Sequence, residues 1–321
     1  MGVIGVGALG QHHARLYGEC DGVTVVGVYD QDAARAAEIA GQVGSRAFPS
    51  VKALAAEVDG VSVAVPTDRH YTVVRDLLER GRHVLVEKPI TQTVAQAEEL
   101  VALAAGRGLV LEVGHVERYN PILSCLAETP GEPRFIEAHR LAPYPPPRPG
   151  LRPRGTEVSV VLDLMIHDID VVLSLVGCAV ERVEGVGVPV LSPTEDIANA
   201  RLVFANGCVA NLTASRVSAE RMRKIRVFKS RTYLSLDYQE RKGEIAFLKD
   251  GAIVRQEVPA REGNALKDEI ADFCACVRES LEGADRREPR VSGRQGLEAL
   301  RVADRILHSI AAGQPSPRRS G

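Results

Sequence analysis

The sequence predicts an α/β chain in two parts: an N-terminal doubly wound parallel sheet, then a C-terminal α+β region built on a mostly antiparallel sheet. Three observations predict it. Short, almost continuously apolar segments alternate with helical ones through the first 113 residues, as a parallel sheet buried on both faces requires. A glycine-rich turn joins the first of these segments to the first helix. Beyond residue 180, strand-like segments follow one another without helices between them, which calls for antiparallel neighbours.

In the first part, strands are predicted over residues 3–6, 23–29, 61–65, 83–87 and 109–113. Helices are predicted over Gln11–Tyr17, Asp32–Gly41, Val51–Glu57, Tyr71–Arg80 and Val94–Ala105. The opening segment Val3-Ile4-Gly5-Val6-Gly7-Ala8-Leu9-Gly10 sets Gly5, Gly7 and Gly10 in the order G-x-G-x-x-G. Gly5 lets the chain leave the strand in a tight turn, Gly7 admits a pyrophosphate to the backbone, and Gly10 allows close helix–strand packing. The free N–H groups at the start of the helix complete an anion site. Asp30 ends the second strand and is placed to accept hydrogen bonds from an adenosine ribose. This is the fingerprint of a Rossmann dinucleotide-binding unit. Gly5, Gly7, Ala8, Leu9, Gly10 and Asp30 are its cofactor candidates. The Asp30 carboxylate repels a 2′-phosphate and favours NAD over NADP, with Arg35 near enough in sequence to oppose that preference.

The pattern changes at Tyr119-Asn120-Pro121, so the expected division is a dinucleotide-binding domain over 1–119 and a substrate-binding and oligomerisation domain over 120–321. The second part opens with a strand over Arg134–Arg140 and a proline-dense loop from Pro143 to Pro153. A long apolar stretch, Val158–Val176, follows. Strands are then predicted over 181–188, 197–204, 208–215, 224–229, 232–238 and 244–248, and helices over Asn264–Leu281 and Gly293–Ala312. A sheet with its helix on one face leaves the other face for a subunit contact, so a homodimer or homotetramer through the C-terminal sheet is expected. The balance of 40 basic and 42 acidic residues, net charge −2, lacks the basic footprint of a nucleic-acid binder. Arg148, Arg152 and Arg154 read as a solvated loop or as a contact for a phosphorylated ligand. The six scattered cysteines show no metal-ligand spacing and read as reduced thiols, Cys274 and Cys276 being a poor metal pair, so no metal site is expected. No secretory leader pattern and no membrane-spanning run is evident, so the expected compartment is cytoplasmic.

Two clusters carry chemistry. Ser159, Asp163, His167, Asp170 and Ser174 recur every three or four residues in the apolar stretch, one stripe of a helix, with Asp168 off it. Carboxylates and an imidazole there are costly unless paired or lining a wet cleft. The stripe reads either as a structural Asp–His pair or as an acid–base site, in which His167 takes a proton from an alcohol while Asp163 or Asp170 orients it. Glu87-Lys88-Pro89 stands at the carboxyl end of a predicted parallel strand, where open sheets bind ligands. Lys88 there is placed to stabilise a developing alkoxide, although E-K-P alone is also an ordinary strand exit. His12 and His13 follow the phosphate turn, one facing the cofactor or both on the helix surface. Arg118 and Asn120 lie past a strand end as candidate substrate contacts. Asn264, Lys267 and Glu269 read as a helix cap and surface charge.

The glycine fingerprint, Pro66-Thr67 with His70, Glu87-Lys88-Pro89 and Asp163-Leu164-Met165-Ile166-His167-Asp168-Ile169-Asp170 together resemble the Gfo/Idh/MocA oxidoreductase family over nearly the whole chain. The resemblance implies catalytic roles for Lys88, Asp163 and His167 and a substrate-holding role for Asp170. It adds Pro66, Thr67, His70, Glu87 and Lys88 to the cofactor contacts. Within the family, Val113–Pro121 and Val160–Asp170 are most similar to enzymes that oxidise the C3 hydroxyl of UDP-N-acetylglucosamine. Their 3-keto sugar nucleotide is then aminated by an aminotransferase for lipid A or related glycans. The proline loop departs from that group. Three functions follow as alternatives: a sugar-nucleotide 3-dehydrogenase, a dehydrogenase of a free polyol or aldose, and a protein that senses NAD without catalysis.

Overall fold

The structure is a computed structural model describing residues 1–146, 155–156, 158–259, 262–283 and 287–313. In chain order the first elements are β1 (Gly2–Ile4), α1 (Gly10–Tyr17), β2 (Gly27–Tyr29), α2 (Ala33–Gln42), β3 (Arg46–Ala47), α3 (Val51–Ala55), β4 (Gly60–Val63), α4 (His70–Glu79), β5 (His83–Glu87), α5 (Val94–Arg107) and β6 (Leu111–Gly114). Then come α6 (Ser124–Glu128), β7 (Pro133–Leu141), α7 (Ile166–Val176), β8 (Val180–Val188), β9 (Ile197–Phe204), β10 (Val209–Ser215), β11 (Met222–Lys229), β12 (Thr232–Asp237), β13 (Lys242–Lys249), β14 (Ala252–Val258), α8 (Ala265–Leu281) and α9 (Gly293–Gly313).

The chain forms two units: Met1–Tyr119 with Asn264–Glu298, and Asn120–Gly263 with the chain from Ala299 onward. The expected single second domain over 120–321 is thereby corrected, because residues 264–298 belong to the first unit. The reason is apolar packing: Ile270, Phe273, Cys274 and Val277 of α8 share a core with Leu16 and Tyr17 of α1 and Val3 of β1. Glu269, expected as surface charge, is fully buried on the same helix.

The first unit holds an all-parallel six-stranded sheet of order β3-β2-β1-β4-β5-β6. The order reverses between β1 and β4, the switch point at whose carboxyl ends such sheets bind ligands. β3, absent from the sequence reading, is two exposed residues with no periodicity to reveal it.

The second unit's sheet has eight strands in the order β14-β13-β12-β11-β7-β10-β9-β8, antiparallel except for β7 beside β10. Its inner residues, among them Ala200, Leu212 and Val227, form one core with Ile169 and Val172 of α7 and Ile306 of α9. β14 escaped the sequence reading because its residues are almost all exposed, leaving no alternation to read. Val186, Leu248 and Ile253 are large apolar side chains left exposed on this unit.

Candidate active site

The phosphate turn is built from main chain. Gly5 has φ +83, and a methyl on it would press on the Ala64 carbonyl. A methyl on Gly10 would overlap the Gly5 carbonyl oxygen, so only glycine closes the turn against α1. Gly7 faces open space and is exposed together with Ala8 and Leu9. No side chain caps the first turn of α1 and no acidic residue occupies it. Exposed N–H groups at a positive helix end, with room for a large group, fit a dinucleotide pyrophosphate. Asp30 accepts hydrogen bonds from the N–H of Val6 (2.8 Å) and of Asp32 (3.0 Å), which ties the end of β2 to the turn. Arg35 donates to the Val6 carbonyl (3.1 Å) and to Gln11 (2.8 Å), and pairs with Glu38 (2.8 Å). Its guanidinium is thus engaged in bracing the turn.

At the neighbouring strand ends, Pro66 is exposed, and Thr67 begins a short turn of 3₁₀ helix after β4. His70 lies beneath them, 1% exposed, with Nδ1 2.8 Å from the Pro89 carbonyl and Nε2 2.9 Å from the Val65 carbonyl. Burial lowers its pKa, and the two carbonyls act against that shift. His70, a cofactor contact by resemblance, is here a strut between the chain beyond β4 and the chain beyond β5. Glu87 ends β5 and the half-buried Lys88 follows it, and the Lys88–Pro89 bond is cis. His13, read as facing the cofactor or the helix surface, does neither. It is 1% exposed and reaches Glu87 Oε1 at 3.2 Å. His12 is exposed.

In the second unit, the apolar stretch does not begin as regular α-helix. Residues Val161–Met165 form a widened π-type turn, and Ile166 N–H reaches the Val161 carbonyl five residues back. Such turns recur at functional sites. Asp163 sits in the wide turn, and His167 and Asp170 lie in α7. Asp163 and His167 are half-buried and Asp170 is buried, whereas Ser159 at the start is buried and Ser174 at the end is exposed. Asp168, off the stripe as expected, forms a buried fork with Arg140 of β7 (3.0 and 3.1 Å) and accepts from Tyr238.

Residues that sequence reasoning missed stand close to Asp163. Gly155 has φ +82, and a methyl there would stand 2.5 Å from Asp163 Oδ2. Arg216, buried, donates to the carbonyls of Gly155 (2.5 Å) and Val158 (2.8 Å) and to Asp196 Oδ1 (2.7 Å). Asp196 also accepts the N–H groups of Val190, Leu191 and Ser192. Burial alone would raise its pKa, yet the hydrogen bonds from Ser192, Arg216 and the backbone hold it well below the usual carboxylate range. Nothing local in the sequence marks Arg216 or Asp196, which stand more than thirty residues from Asp163.

Arg118 and Asn120 have structural roles as well. Arg118 donates to the Arg290 carbonyl, and Arg290 returns a bond to the Arg118 carbonyl, both 3.1 Å. Asn120 donates to the Tyr238 carbonyl (3.2 Å) and caps Ile122. Asn264 caps α8 through Lys267 N–H, as read from the sequence. Arg148, Arg152 and Arg154 lie outside the described residues. Among the described residues there is no group of side chains able to hold a metal ion, and no helix is long and apolar enough to cross a membrane.

Comparison with known proteins places this geometry. Residues 1–115 match the Gfo/Idh/MocA oxidoreductase family with its NAD-binding Rossmann fold, and residues 127–235 match the family's C-terminal domain. A UDP-N-acetylglucosamine 3-dehydrogenase from Acidithiobacillus ferrooxidans is 41% identical over 283 residues, 86% of this chain and 88% of its own. The chain belongs to the Gfo/Idh/MocA family. This family member is an oxidoreductase and its cofactor is NAD. A solved structure of that Acidithiobacillus ferrooxidans enzyme superposes with TM-score 0.88 at 38% identity, covering 97% of each chain. An inositol 2-dehydrogenase from Rhizobium meliloti is 25% identical over 97% of this chain and 96% of its own.

Proposed function

We propose that the protein oxidises the C3 hydroxyl of UDP-N-acetylglucosamine to the 3-keto sugar nucleotide, feeding an aminotransferase of lipid A or related glycan biosynthesis. The observation that carries this reading is the 41% identity to the UDP-N-acetylglucosamine 3-dehydrogenase, extended over 86% of the chain. NAD supplies the two-electron acceptor. The backbone of Gly5–Gly10 holds its pyrophosphate and Asp30 its adenosine ribose. Lys88 and His167 are assigned the alcohol proton, with Lys88 also stabilising alkoxide charge. Asp163 orients the base, and Asp170 holds the sugar. Pro66, Thr67 and Glu87 complete the cofactor edge. We assign the outer face of the eight-stranded sheet, where Val186 and Ile253 are exposed on the two edge strands and polar pairs such as Arg226–Glu137 lie between, to a homodimer or homotetramer contact.

The deciding experiment mixes purified protein, NAD and UDP-N-acetylglucosamine, follows NADH absorbance, and adds a 3-aminotransferase to draw off the ketone. Aminated sugar nucleotide is the expected product. Its absence, together with good turnover of myo-inositol or a free aldose, would give the polyol reading in its place.

A further inference from the structure

Four polar side chains stand in single file inside the first unit. His13 and Tyr17 lie one turn apart on α1, so their side chains share a face. Tyr17 Oη is 2.7 Å from Ser62 Oγ on β4, and Ser62 Oγ is 3.1 Å from His13 Nδ1. His13 Nε2 is 3.2 Å from Glu87 Oε1 at the end of β5. Tyr17 and Ser62 are fully buried, His13 is 1% exposed, and the Glu87 side chain is 13% exposed.

Both ends of this file demand the same direction of donation. The hydroxyl proton of Tyr17 has Ser62 Oγ as its neighbour, and a buried donor left unmade is costly, so Tyr17 donates to Ser62. Ser62 then gives its own proton to His13 Nδ1, which must be bare to accept it. The ring proton is left on Nε2, facing Glu87. At the other end, the Glu87 carboxyl is held below its ordinary range. Burial pushes it up, but the hydrogen bond from His13, with the charge of Lys88 nearby, outweighs that. An ionised carboxylate only accepts, which again puts the proton on Nε2.

We propose that His13 is a positioning residue for the Glu87-Lys88-Pro89 turn, fixing the Glu87 carboxylate from inside the fold through a one-way hydrogen-bond chain that starts at Tyr17. The chain joins the helix that begins at the phosphate turn to the strand end that carries Lys88. Glu87 is thereby a fixed anion beside Lys88 rather than a mobile surface group. The effect on turnover rests on the role given to Lys88 above, whereas the tautomer of His13 does not.

The test has two readouts. Two-bond ¹⁵N–¹H spectra of the imidazoles in the cofactor-free protein, with His13 assigned from its absence in His13→Gln, should show a neutral ring protonated at Nε2. Protonation at Nδ1, or on both nitrogens at pH 7.5, overturns the proposal. In kinetics, His13→Leu should lower kcat by roughly tenfold to hundredfold, the scale for a displaced group near the chemistry. It should also move the acid limb of the kcat profile to higher pH, since Glu87 then takes up a proton more readily. His13→Gln, which keeps a donor toward Glu87, should restore most of both. His13→Leu should add nothing in a Glu87→Gln background. Multiplicative losses, or an unmoved acid limb, overturn the proposal. If the wild type does not turn over the sugar nucleotide, the substrate reading fails and the tautomer result still decides this one.

Discussion

The phosphate turn and the Asp163 helix are built on opposite plans. The turn is main chain: Gly5, Gly7 and Gly10 matter for atoms they lack, and its braces, Asp30 and Arg35, grip the peptide of Val6. The helix site is side chain, and Asp163 lies close against Gly155, whose carbonyl Arg216 holds from a distant strand end. A backbone site is set by local spacing. A side-chain site is set by whatever the fold brings against it.

Five outcomes break or sharpen that contrast. The largest concerns side-chain chemistry: Lys88→Ala and His167→Ala should each reduce turnover by roughly 10²–10⁴-fold, the scale for losing a positioned acid or base. NAD affinity by calorimetry should barely move, and Asp163→Asn should be milder than His167→Ala. Near-normal turnover of His167→Ala would remove it from the site. Gly10→Ala should do the reverse and strike binding. Its methyl overlaps backbone that cannot yield, for roughly 3 kcal/mol or about a hundredfold in NAD affinity.

Cofactor choice comes next. A 2′-phosphate would meet the Asp30 carboxylate, so NAD should bind about tenfold to hundredfold tighter than NADP. Equal affinities in paired titrations would mean that Arg35 leaves Gln11 and Glu38 to receive the phosphate. Gly155→Ala tests the helix plan. It should lower turnover about tenfold by displacing Asp163 while leaving the NAD dissociation constant unchanged, and a change confined to thermal stability would deny Gly155 that task.

The smallest effect separates two buried carboxyls. Asp196 has many donors and stays ionised, whereas Glu112 is fully buried with Tyr119 Oη at 2.6 Å on one oxygen and, among the described residues, no partner on the other. Burial raises its pKa well above the ordinary value, and the Asp272 charge adds to this against the Tyr119 bond. A carboxyl that binds its proton more tightly when folded favours the native state at low pH. That benefit is lost as pH rises from about 4.5 toward the raised value. Glu112→Gln should therefore be near neutral at pH 5 and stabilising by on the order of 1 kcal/mol at pH 8. Urea midpoints at the two pH values measure it, and equal shifts would contradict the assignment.

The same contrast explains what the sequence could tell. The parallel sheet, the glycine turn and Asp30 were legible because strand, turn and helix are adjacent in the chain. The strands of the second sheet were legible as successive strand-like segments without helices between them, except β14, whose exposed residues have no buried side to mark. Asp163, His167 and Asp170 were singled out by helical spacing inside an apolar stretch, and the structure sets them in the wide turn and the helix that follows it. The wide turn beneath Asp163 was not, since its cause is a backbone hydrogen bond rather than a residue type. His70 and His13 were named without their internal partners, because only the fold shows that these are carbonyls for the one and Ser62 and Glu87 for the other. Arg216 lay beyond reach for a different reason: its partners come from two separate chain segments.

The return of residues 264–298 to the first unit bears on how the chain is made. Every strand of the parallel sheet has left the ribosome by Gly114, yet the flank of α1 around Leu16 and Tyr17 waits for Ile270 and Phe273. The second unit's whole sheet is synthesised during that interval. A nascent N-terminal part cannot close its core on its own schedule, as chains that fold domain by domain usually do. Its apolar flank lacks its α8 cover until the last helices are made, so the unit whose sheet is made early is finished late.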